Sequence, residues 1–118
     1  MVGPNQAVVI ASSQHRRQSL AALLRSMPEF GEIYEAENVL RVQPSPSFAP
    51  TLIVFDCWQG EDISREMLDP LKQMFKEAHF LALVRQNNEA LQTLELDLVL
   101  VEGFAANDFY DAVRHLIS

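Results

Sequence analysis

Apolar residues along this chain fall into two kinds of run. Four runs are short and unbroken: Ala7 to Ala11, Leu52 to Phe55, Phe80 to Val84 and Leu98 to Val101. Each is too short for a helix and is flanked by polar residues. A strand with one face in water alternates apolar and polar positions, whereas an unbroken apolar run marks a strand covered on both faces, as in a parallel sheet. Ile33 to Ala36, after Gly31, is mixed in polarity and reads as a fifth strand at a sheet edge.

The other runs have helical spacing. Leu20, Leu23, Leu24 and Met27 recur at i, i+3, i+4 and i+7, with Pro28 as a stop, which predicts a helix from about Gln14 to Met27 capped by Ser12 or Ser13. Phe109, Ala112, Val113, Leu116 and Ile117 repeat the pattern at the carboxyl end, with Asn107 or Asp108 available as cap. Between Ser64 and Ala78, Met67, Leu68, Leu71, Met74 and Phe75 form one apolar face. Pro70 there must fall in a first turn or kink the helix, so Asp69 is a second candidate for the cap. Asn87 to Leu94 is a short helical segment and Val39 to Val42 a shorter one, followed by the proline-rich loop QPSPSFAP. Strands and helices therefore alternate, with the second helix eroded and the fourth short. Right-handed crossovers turn that order into a doubly wound α/β sheet with helices on both faces, and sites in such sheets lie at the carboxyl ends of the strands.

Composition narrows the functional classes. The 118 residues fit one domain, spanning 1–118, and no stretch approaches the ~20 apolar residues that a membrane helix requires. No basic and apolar leader opens the chain, which favours a cytoplasmic location. A net charge of −7 works against direct nucleic-acid binding, because phosphate contacts need clustered Lys and Arg. The main basic group, Arg16, Arg17 and Arg25, falls among the leucines of the first helix and reads as its solvated face. Cys57 has no partner for a disulfide or a zinc site and reads as a small apolar residue. His15, His79 and His115 lack metal-ligand spacing, and only His15 lies near the strand ends. The glycines are too few and too scattered for a phosphate-binding loop.

Asp56, at the end of the third apolar run, is the residue with the clearest chemical potential. Around it the sequence resembles the receiver domain of two-component response regulators. AVVIASSQHRRQSLAALLRSMPEF is similar to that family's first strand and helix, EIYEAEN to its second strand, PTLIVFD to its third, and VLVEGFAANDFYDAVRHLI to its fifth strand and last helix. The resemblance implies a flavodoxin-like fold with strand order 2-1-3-4-5, in which Asp56 holds the position that accepts a phosphoryl group from a histidine kinase.

The departures from that family are equally specific. Two acidic residues normally follow the first strand and bind Mg²⁺, and here Ser12 and Ser13 stand in their place. Neutral hydroxyls offset little of the cost of dehydrating a hard cation. Val84 stands where a hydroxyl would follow the phosphoryl group, and Glu102, followed by Gly103, where a lysine and proline would stand. Phosphoryl transfer depends on neutralising charge on the phosphoryl oxygens, so a site holding Asp56 and Glu102 with neither Lys nor acidic pair is expected to repel a donor.

The expectation is a pseudo-receiver: a non-catalytic signalling module that needs no Mg²⁺ or other cofactor and acts on a protein partner or output domain. The resemblance implies dimerisation or output contact through the family's fourth helix, fifth strand and fifth helix, which here means the surroundings of Leu91, Leu100, Phe109, Val113 and Arg114. Trp58 reads as a cover for the strand end or an exposed anchor for a partner. Two alternatives stay open: an active phosphoacceptor using Asp56 with helpers such as Glu61 or Asp62, and a small-molecule sensor using the same strand-end pocket.

Overall fold

A computed structural model of the chain describes residues 4–42, 48–57, 64–86 and 89–118. Trp58, Glu61 and Asp62, each given a possible role above, lie outside those residues.

The elements are β1 (Asn5–Ile10), α1 (Gln14–Arg25), β2 (Phe30–Ala36), a 3₁₀ turn (Val39–Arg41), β3 (Leu52–Cys57), α2 (Arg65–Met74), β4 (His79–Val84), α3 (Glu89–Gln92), β5 (Leu98–Val101) and α4 (Ala106–Ile117). All strand pairs are parallel, in the order β2-β1-β3-β4-β5. The unbroken apolar runs are the central strands. Val8, Val9, Leu52, Ile53, Val54 and Leu81 are at most 1% exposed, since helices or loops cover both sides of each. β2, with its mixed polarity, is an edge.

Alternation along each strand divides the core in two. Ala7, Val9, Leu52, Val54, Leu81 and Leu83 point to the face that packs Leu20, Leu24, Phe109 and Val113 of α1 and α4. Val8, Ile10, Ile53, Phe55 and Phe80 point to the other, with Leu68 and Leu71 of α2. Full burial of each such side chain stabilises the fold by ~2 kcal/mol. The first face carries two helices of 12 residues. The second carries one of 10, one of four and the three-residue 3₁₀ turn.

Helix ends differ from the expectation in two places. Ser64, not Asp69, caps α2, its hydroxyl accepting from the Met67 N–H at 3.3 Å. Pro70 thus lies inside the helix, which forgoes the bond to the Glu66 carbonyl. The helix ends at Met74, short of Ala78, because Phe75 leaves the helical region at ψ 75°. In α4 the cap position is Ala105, and Asp108 serves from inside the first turn, its carboxylate accepting from the Ala105 N–H at 2.8 Å. Ser13 caps α1 as expected, accepting from the Arg16 N–H at 3.3 Å.

Two residues assigned to an interaction face belong to the interior. Phe109 and Val113 are fully buried against α1 and the sheet, because they carry the apolar stripe that docks α4. Leu91 and Leu100 are half-buried and pack against the two cores from their margins, while Arg114 is exposed and pairs with Glu29 at 2.7 Å.

Candidate functional site at the carboxyl end of the third strand

Asp56 lies in step with Leu52 and Val54 on β3, and that parity turns its carboxylate toward the layer holding α1 and α4. Its side chain is 3% exposed. A carboxylate this deep needs a partner, since an isolated buried charge costs several kcal/mol. The partner is Arg16, in the first turn of α1. Its Nε donates to Asp56 Oδ2 at 2.6 Å and its Nη2 donates to Oδ1 at 2.8 Å. This is the bidentate fork geometry that makes arginine the preferred cation for carboxylates.

The placement of Arg16 corrects the expectation that it belongs to a solvated basic face. Arg16, Leu20 and Leu24 follow one another at intervals of four, and Leu20 and Leu24 are buried. Arg16 therefore extends the buried stripe of α1 by one turn, where the sheet ends and Asp56 waits. The other two arginines are engaged as well. Arg17 donates to the Ala11 carbonyl at 2.7 Å and lies 3.9 Å from Glu35, and Arg25 reaches the Ile33 carbonyl and Glu35 at 3.2 Å each. All three tie the helix to the strand ends or to β2.

The pair also corrects the expected charge balance. No cation was expected at the pocket, where Asp56 and Glu102 were to repel a phosphoryl donor. The cation comes instead from α1, and Glu102 lies exposed beyond β5, its backbone N–H bonded to the Val84 carbonyl at 2.9 Å. Gly103 next to it adopts φ +101°, a conformation that favours glycine over the proline of the resembled family. Val84 is buried, and alternation places it with Phe80 on the α2 face, whereas Asp56 faces α1. Ser13 is engaged as the cap. Ser12 lines a cavity of about 120 Å³ together with Asp56, Cys57, Glu37, Asn38 and Met67. Glu37 and Asn38 went unnoticed in the sequence, because a residue in a connecting loop carries no periodic signal of where it points.

The donor set does not fit a receiver's Mg²⁺. Both Asp56 oxygens are held by a guanidinium that would repel a divalent cation, and neutral Ser12 and Ser13 hold the positions of the acidic pair. Among the described residues no group of three or more His, Cys, Asp or Glu side chains could hold a metal ion. The histidines do not converge on the site: His15 and His115 are exposed, and His79 Nδ1 lies 3.7 Å from Asp97 at the opposite end of β4. Among the described residues no helix is long and apolar enough to cross a membrane.

No family model matches the chain, and no curated protein matches it at a significant level. Solved structures do. A protein described as pilus assembly-related, from Burkholderia pseudomallei, superposes with a TM-score of 0.77 at 13% identity, over 98% of this chain and 91% of its own. The RcsB response regulator of Salmonella typhimurium, in a study of its DNA interaction, gives 0.77 at 14%, over 99% of this chain and 61% of its own. The non-phosphorylated receiver domain of HemR from Leptospira biflexa gives 0.74 at 14%, over 97% and 94%. This chain has the receiver-domain fold, α/β and flavodoxin-like, with the sheet order 2-1-3-4-5.

Proposed function

We propose that this chain is a pseudo-receiver: one signalling domain of receiver fold, residues 1–118, that works through protein contacts and does not use aspartyl phosphorylation. The observation that carries the reading is the two-point bond between Arg16 and Asp56. A phosphoacceptor must present a carboxylate oxygen to the donor while cations gather around the incoming phosphoryl group. Here both oxygens are engaged by a cation of the chain itself, in a geometry that leaves Asp56 nearly sealed. Ser12 and Ser13 add no negative charge for Mg²⁺, and Val84 no hydroxyl.

The comparisons support a signalling role in a coarse sense, since several of the similar structures are response regulators or their receiver domains. RcsB is described in complex with DNA, but the net charge of −7 here argues for a protein partner. The contact face we favour is the margin formed by α3, β5 and α4, where Leu91 and Leu100 are half-buried and Arg114 is exposed. A cytoplasmic location accords with this role.

The competing reading is an active phosphoacceptor. Incubation with Mg²⁺ and a small acyl phosphate, followed by intact mass, separates the two. The expected result is an unchanged mass; a gain of one phosphoryl group that disappears in Asp56→Ala overturns the proposal. Sedimentation across a concentration series tests the contact face, with a monomer throughout counting against self-association.

A further inference from the structure

Among the described residues between β2 and β3, a single 3₁₀ turn, Val39–Arg41, faces α2. A cavity of about 650 Å³ lies between the turn and α2. That volume lies in the range of pockets that take small organic molecules, and the lining has their composition, largely apolar with a few polar groups. Val39 and Leu40 form one wall; Met67, Pro70, Leu71 and Met74 form the other. Leu40, on the first wall, is 90% exposed. Two methionines add a surface that adapts to irregular apolar shapes.

Charge selects among apolar ligands. Among the described lining residues the one ionisable group is Glu66, and the adjoining cavity beside Asp56 shares Asn38, Val39 and Met67 with this one and adds Glu37. No Lys or Arg lines either cavity among the described residues. An anionic head, such as a fatty acid carboxylate, would meet Glu66 and Glu37, while the Arg16 guanidinium is already engaged by Asp56. A cationic head would meet Glu66.

We infer that the gap beside α2 binds a small amphiphile with an apolar tail and an amine head, the tail between Leu40 and Met74 and the ammonium at Glu66. The inference does not depend on whether Asp56 accepts phosphate, because its readout is binding and not mass. A ligand that binds only the folded chain raises its melting temperature with concentration.

The test compares octylamine, octanoate and ethylamine by calorimetry and thermal denaturation. Octylamine is expected to bind saturably and raise the melting temperature by about 10 °C near 100 times its dissociation constant. Octanoate is expected to bind at least about tenfold more weakly, the scale of one close charge contact. Ethylamine, with the charge and without the tail, is expected to give no saturable signal. Glu66→Lys, an exposed change that leaves the core intact, is expected to reverse the preference, and Met74→Trp to abolish binding by filling the space. Absence of saturable octylamine binding overturns the inference. So does equal binding of octanoate, or a preference that survives Glu66→Lys.

Discussion

The two faces of this sheet are built from the same strands, yet among the described residues one carries two long helices and the other only shorter elements. On the α1 and α4 side, two long helices cover the strands, and Asp56, the one buried charge among the described residues, is met by an arginine from one of them. On the α2 side, a short helix, a one-turn helix and a 3₁₀ turn leave Val39, Val42, Met74, Leu91 and Leu96 only partly covered. Strand alternation assigns the residues to the faces, but helix length decides how well each face is sealed. On the α1 side a buried carboxylate is met by an arginine of the chain itself, and on the α2 side a cavity lies beside the shorter elements.

Five experiments would sharpen or break that contrast. Phe109→Ala, at the centre of the closed face, is expected to cost about 4 kcal/mol in denaturant unfolding, because a large fully buried ring leaves a cavity that packed neighbours cannot fill. Arg16→Ala is expected to cost about 3 kcal/mol, the scale for leaving one partner of a buried pair uncompensated. Combining Arg16→Leu with Asp56→Leu should return most of that loss, since apolar replacement of both partners is often neutral. A double variant as unstable as Arg16→Ala would show that the site contributes packing and not charge satisfaction.

Met74→Ala, on the open face, is expected to cost only about 1 kcal/mol by the same measurement, because the side chain is already partly exposed beside a cavity. A loss comparable to that of Phe109→Ala would mean that the two faces are equally sealed. The smallest effect belongs to Glu29. The Arg114 guanidinium, hydrogen-bonded to it, holds this carboxyl below the ordinary glutamate value, with a backbone hydrogen bond adding to the shift. A depressed folded value means that the contribution is present above pH ~4.5 and is lost as the pH falls through the folded value. An acid titration of stability should thus decline in that range, and Arg114→Gln should flatten the decline.

Much of this architecture was legible in the residues. The unbroken runs at Val8, Val54 and Leu81 announced strands covered on both faces, and the prolines after Val42 announced the eroded second helix. The position of Asp56 followed from the end of its run. Arg16 was harder to place. Composition marks an arginine as solvated, and its place at the head of the Leu20 and Leu24 stripe went against that prior. The same stripe logic, applied to α4, would have put Phe109 and Val113 inside, since a surface used for contact cannot also be the seam that docks the helix. Glu37 could not have been found, because no repeat governs where a connecting loop points.

Arg16 and Asp56 are 40 positions apart, and their bond closes only when α1 is docked and Ile10 stands in register with Phe55. If so long-range a contact forms after the folding transition state, its weight falls on the rate of unfolding and hardly on the rate of folding. The Arg16–Asp56 pair would then act as a latch on the lifetime of the folded state.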